Sequence, residues 1–174
     1  MKFIESYSLT SPESTLSSVT SIQGGENIPS GVFDNGLLIV CDIENKINFS
    51  PEHWNQLIAI DDILLCYTGF GDFFFWSVVD KAVYFVEVQR GTKEFIDDDI
   101  GWFLNDFLTN TDIKNDVLKE DKFMEIVKRN SPLNYGECFV LEPWEMLGGK
   151  NLVENFKKAK FSVYIDLVGQ AHNP

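Results

Sequence analysis

Apolar residues cluster in short bursts through the middle of the chain, then fall into a spacing of three and four. Ile63–Thr68, Phe73–Val78 and Ala82–Val88 are dense in aromatic and β-branched residues. Gly69-Phe70-Gly71 and Asp80-Lys81 break them apart, and a fourth run, Thr92–Ile96, follows Arg90-Gly91. Runs of this length between turn residues predict an antiparallel meander. Leu37–Cys41 predicts a further strand after the turn signal Asp34-Asn35-Gly36. Ser50-Pro51 then Trp54, Leu57 and Ile58 predict a short amphipathic helix. The period then changes. Ile100, Phe103, Leu104, Phe107 and Leu108 form a helical stripe behind Asp97-Asp98-Asp99, where the helix dipole favours acid. Thr111–Leu118 and Asp121–Arg129 read as two more helices, with Phe123, Ile126 and Val127 as the stripe of the second and Pro132 as its stop. Residues 133–156 read as turns and short pieces. Phe161–Gly169 fits either period, and Ser162, as an available cap, tips it toward helix.

Strands first and helices afterwards define an α+β class: an antiparallel meander followed by packed helices in a single compact domain. Residues 1–30 stand apart. Ser and Thr dominate from Ser6 to Ser21, and Ser11-Pro12-Glu13-Ser14 has the form of a helix cap. This predicts an N-terminal extension or weak helix over 1–30 and the α+β domain over 31–174.

The 174 residues are 44% hydrophobic and 14% aromatic, with 15 Phe, enough to build a core without disulfide or metal. Cys41, Cys66 and Cys138 are far apart and form no Cys-x-x-Cys, so buried free thiols in a reducing cytoplasm are expected. No run of about 18 apolar residues exists to span a membrane, and Met1-Lys2-Phe3-Ile4-Glu5-Ser6 does not read as a signal peptide. Acidic residues number 27 against 14 Lys and Arg, a net charge of -13. Such a surface repels nucleic acid and anionic membrane and attracts a basic protein. It also keeps a protein soluble, which is the plainer reading.

Little in the sequence points to catalysis. Gly69-x-Gly71 lacks the third glycine and the following helix of a dinucleotide site, and reads as a bend in the sheet. His53 and His172 are the two histidines, with His172 expected to fray at the chain end. Asp97-Asp98-Asp99 lacks the spacing of a calcium loop. Asp61-Asp62 and the pair Glu142 and Glu145 read as solvated carboxylates, and Trp76, Trp102 and Trp144 as core or interface anchors. Lys150, Lys157, Lys158 and Lys160 form a basic cluster that reads as a solvated face. The chain is read as non-enzymatic, without cofactor or metal.

Three blocks in order carry a resemblance. They are Thr68–Trp76 with Lys81–Phe85, then Trp102–Leu108, then Gly136–Pro143 with Leu147-Gly148-Gly149, Asn155 and Gly169-Gln170. Together they resemble the GAD-like family joined to the C-terminal domain of type VI secretion immunity proteins, over residues 30–172. That family includes antidotes to DNase toxins. The resemblance implies an α+β fold and a cytoplasmic immunity protein that binds and neutralises a cognate toxin, a basic nuclease in the reading that charge favours. A carboxylate-based or metal-assisted hydrolase and a non-catalytic scaffold or regulatory module of the same fold are the other readings. For toxin contact, Asp97, Asp98, Asp99, Glu142, Trp144 and Glu145 are the candidates: carboxylates to steer a basic partner and a tryptophan to anchor it.

Overall fold

The computed structural model describes residues 2–12, 28–42 and 51–173. Its frame is one antiparallel sheet of seven strands in sequence order: β1 (Leu9–Pro12), β2 (Gly31–Phe33), β3 (Leu38–Val40), β4 (Ile63–Thr68), β5 (Phe73–Ser77), β6 (Ala82–Glu87) and β7 (Thr92–Asp97). The four central predictions, 63–68, 73–78, 82–88 and 92–96, fall on β4 to β7 within a residue or two. The Asp34–Gly36 turn links β2 to β3 with Asn35 at φ 61°, a conformation that asparagine tolerates.

β5 shows why an aromatic run forms this strand. Successive side chains leave a strand on opposite faces. Phe73 packs edge-on against Trp54 and Phe161 at 6.3 Å each. Phe74, pointing the other way, meets Phe103 at 5.1 Å and Phe85 at 4.8 Å. Both faces of the sheet are covered here, so the strand reads as continuous rather than alternating hydrophobicity.

The helices follow. α1 (Lys2–Ser6) precedes the sheet, and α2 (Ile100–Trp102) continues into a π-helical turn, Phe103–Phe107. That turn is a departure from the single helix predicted over 100–108. The Leu108 N–H reaches back to the Phe103 carbonyl, and the wider turn stacks Phe103 on Phe107 at 5.8 Å, both against Phe74. α3 (Thr111–Asp116) and α4 (Glu120–Asn130) match their predictions. Pro51–Trp54 is a 3-10 turn rather than an amphipathic helix, and it buries Trp54 with Ile58 behind it.

One hairpin departs from the expected turns and short pieces. Residues 133–156, expected to be turns and short pieces, contain β8 (Glu137–Leu141), which pairs with β9 (Phe156–Lys160) in a separate two-stranded sheet. β9 reads Phe-Lys-Lys-Ala-Lys and carries no alternating apolar pattern; its partner strand supplies the buried side chains from Cys138 to Leu141. The ambiguous end is α5 (Phe161–His172). Lys160 occupies its cap position, so Ser162 lies inside the first turn rather than capping it.

The N-terminal residues that are described join the core. Phe3 stacks on Tyr7 at 4.7 Å and meets the Phe33 ring edge at 5.2 Å. The Tyr7 hydroxyl donates to the Leu108 carbonyl. Ser11 and Pro12 lie in β1, paired with Val32 and Gly31, and do not cap a helix. The predicted helix beyond them lies outside the described residues.

The sheet and the C-terminal layer meet at the β4–β5 turn. The Gly69 carbonyl accepts the Phe139 N–H at 2.7 Å, which ties β8 to the sheet. Tyr67 stacks on Phe161 at 3.9 Å, and its hydroxyl accepts the Gly136 N–H at 2.8 Å. A Cβ on Gly69 would stand 2.3 Å from the Phe123 ring and 2.7 Å from the Gly36 carbonyl oxygen. Gly71 sits at φ +86° with the Tyr164 ring 2.7 Å from where its Cβ would be. The Gly-x-Gly is therefore a bend, as expected, and also a docking face for α4 and α5. Gly69→Ala should lower unfolding free energy by about 2–3 kcal/mol, the upper range for overpacking. Urea unfolding should show the midpoint falling with an unchanged slope; a midpoint like that of the unsubstituted chain would mean that Phe123 gives way at no cost.

Candidate partner-binding site

The six candidate contact residues lie in two places. Asp97 ends β7 and its carboxylate accepts the Asp99 N–H at 2.8 Å. Asp99 caps α2, accepting from the Gly101 N–H at 2.8 Å and the Trp102 N–H at 3.0 Å. Asp98 is exposed between them. Two of the three aspartates thus hold the strand-to-helix corner, as the dipole argument expects. Glu142, Trp144 and Glu145 lie in the loop after β8, which runs through a cis Glu142–Pro143 peptide into a 3-10 turn, Glu145–Leu147. Trp144 is half-buried, edge-on to Tyr164 at 6.2 Å, so much of its ring is spent on the fold.

Strand register keeps the two groups apart. On β6, Val83 pairs with Asp97 and Glu87 with Thr92. Four residues of strand separate these ends by about 13 Å. Glu87 belongs to a cavity of about 60 Å³, shared with Glu145, Asp72, Gln89, Lys119 and Tyr164. The acidic corner is at the other end of the hairpin.

The cavity centres on Asp72, one of the three carboxylates, with Asp61 and Asp62, that the hydrolase reading expects in a pocket; Asp61 and Asp62 do not line it. It follows Gly71 and is buried, with one carboxylate oxygen accepting the Val88 N–H at 2.9 Å. The other oxygen is 3.9 Å from the Lys119 ammonium. Lys119 stands at φ 56° just before α4, an unusual conformation for lysine that accompanies an ammonium placed over the Phe70 ring at 5.8 Å. Burial pushes the Asp72 carboxyl up to about 6, against the opposing pull of Lys119 and the Val88 N–H. Gln89 donates its amide to the Tyr164 hydroxyl at 2.7 Å, and burial raises the Tyr164 phenol. Lys122 is shifted down, chiefly by partial burial and then by Lys119. A Gly-Asp turn gives no sign that its carboxylate will be roofed by α4 and α5, so only tertiary packing brings these groups together.

Other reactive groups serve structure. Cys41, Cys66 and Cys138 are free and buried, and burial holds each thiol well above its usual range, which disfavours the nucleophilic thiolate. His172 does not fray: its Nε2–H donates to the Val88 carbonyl at 3.0 Å and its ring meets Trp54 edge-on at 5.8 Å. The Asp62 carboxylate accepts the Ala59 and Val78 N–H groups, joining two turns. Among the described residues, no three His, Cys, Asp or Glu side chains are grouped to hold a metal. Among them too, no helix is long and apolar enough to cross a membrane.

The raised Asp72 carboxyl has a signed consequence. Its folded value, about 6, lies above its ordinary 3.8, so the native state holds the proton more tightly. The stability that this gives is full below about pH 4 and is lost as pH rises through 6. The loss approaches about 3 kcal/mol. Asp72→Asn cannot ionise, so its stability relative to the unsubstituted chain should rise between pH 4 and 7.5. Parallel urea titrations at those two pH values check this; a constant difference would place the Asp72 titration elsewhere.

Comparisons with known proteins come in three parts. No curated protein matches the sequence. Among solved structures, Atu4351 from Agrobacterium tumefaciens is similar over 97% of this chain and 87% of that one, with a TM-score of 0.62 and 15% identity. A likeness at that identity supports the fold. Residues 97–172, from the last residue of β7 to the last of α5, match the sequence model of the family described as T6SS immunity protein Tdi1, C-terminal.

Proposed function

We propose that this chain is a type VI secretion immunity protein that binds a cognate bacterial toxin and neutralises it without turnover. The match of residues 97–172 to the immunity-protein family carries the proposal. The physical chemistry is consistent with it. A cavity of about 60 Å³ holds a few waters, whereas small-molecule sites measure about 300–1,000 Å³. Recognition across the surface suits such a molecule better than capture of a metabolite. With a net charge of -13, the surface suits a basic toxin, a nuclease above all, since nucleases carry positive charge to hold their own substrate. Asp97, Asp98, Asp99, Glu142, Trp144 and Glu145 remain the candidate contacts, in two groups at opposite ends of the β6–β7 hairpin.

The test is bacterial rescue. The product of the adjacent gene is expressed with and without this chain, because antidotes are commonly encoded beside their toxins, and survivors are counted. Killing by the neighbour alone and growth with this chain are the expected results. A harmless neighbour, or one that kills regardless, would remove the immunity reading.

A further inference from the structure

One end of the large sheet is built unlike the rest of the surface. The turn that enters β4 and the turn between β5 and β6 lie side by side there, joined by Asp62, whose carboxylate accepts the Ala59 N–H at 2.9 Å and the Val78 N–H at 3.1 Å. These turns present Ile60 at 79% exposure, Val79 at 80% and Val78 at 45%. Ile60 and Val79 are the most exposed large apolar side chains among the described residues. Phe95, 61% exposed on the edge strand β7, meets the Tyr84 ring at 5.9 Å, and the Tyr84 hydroxyl donates to Asp80 in the same turn. Val83 pairs with Asp97, which brings the acidic corner to this end as well.

The apolar tip is thus rimmed by Asp61, Asp62, Asp80, Asp97, Asp98 and Asp99. Lys81 in the turn and Lys93 on β7 are the nearby cations, and Lys93 lies over the Tyr84 ring at 4.7 Å. Among the described residues, none of these aspartates forms an ion pair. The carboxylates of Asp62, Asp80, Asp97 and Asp99 are nonetheless held in place by the hydrogen bonds they accept. Exposed apolar side chains inside a polar rim are the anatomy of a protein interface, and side chains already fixed lose little entropy on binding.

We propose that this end of the sheet is the contact surface for a basic protein, one that presents Lys or Arg around an apolar depression. The charge decides among occupants. A second copy would oppose the same aspartates across the contact, and a nucleic acid or anionic lipid would be repelled. The inference names the surface through which the proposed toxin binding occurs and rests on that reading for the partner's identity.

The test places a photo-cross-linking benzoylphenylalanine at Val79 of the full chain in its native cell, and at Leu147, 68% exposed on the loop after β8, in a parallel strain. The expected result is a cross-link from position 79 to a basic protein and none from 147. That protein, purified, should bind the unsubstituted chain with association that slows as salt rises. Val79→Lys and Asp98→Lys, both on exposed positions, should each weaken binding about tenfold or more while leaving the urea midpoint unchanged. Cross-links from 147 alone, from neither position, or to a second copy overturn the proposal, as does unchanged affinity in both variants. A partner captured at 79 that does not kill would leave this surface standing and remove the immunity reading. A neutralised toxin captured only at 147 would do the reverse.

Discussion

The C-terminal layer is seated on the large sheet at the Thr68–Asp72 turn. Gly69 gives its carbonyl to β8, its missing side chain to Phe123 of α4, and its N–H to the Leu37 carbonyl. Gly71 makes room for Tyr164 of α5. Between them, Phe70 meets Phe123 at 6.1 Å and Phe156 of β9 at 5.5 Å. A side chain at either glycine would push the C-terminal layer off the sheet, because close-packed interiors have no slack to absorb it. The segment resembling immunity proteins is therefore seated on the sheet by two hydrogen atoms where other residues carry a carbon.

The same turn makes the chemistry of the cavity. Asp72 follows directly and is carried under α4 and α5 by the docking that the glycines permit. Its carboxylate then spans the Val88 N–H and the Lys119 ammonium, linking the β6–β7 connection to the start of α4. Removing a buried group of this kind is costly because the Val88 N–H and the Lys119 ammonium each lose their acceptor. Its hold on a proton up to about pH 6 follows from the burial that positions it.

Charge is distributed for two different ends. Near the cavity, Lys119 and Lys122 offset Asp72, Glu87 and Glu145. At the far end of β6 and β7, aspartates outnumber lysines and surround exposed aliphatic side chains. The strands between supply a rigid spacer, so the two ends can be altered independently.

The run of aromatic and β-branched residues from 63 to 96 determined four strands and their order, because short apolar bursts between turn residues have one economical pairing. The three-and-four spacing of Phe123, Ile126 and Val127 determined α4, and the capping chemistry of Asp99 was legible in its position before Ile100. Tertiary structure alone decided the rest. β9 exists because β8 needs an edge partner, which a lysine-rich segment does not advertise. α5 is helical because Phe161, Tyr164, Ile165 and Val168 are all buried, and they share one helical face. Of the candidate contacts, the sequence placed the acidic corner, but it could not separate Asp97, Asp98 and Asp99 from Glu142, Trp144 and Glu145, since strand register sets that distance. Nor could it bring Ile60, Val79 and Phe95, which are far apart along the chain, to one end of the sheet, since only the antiparallel pairing does that.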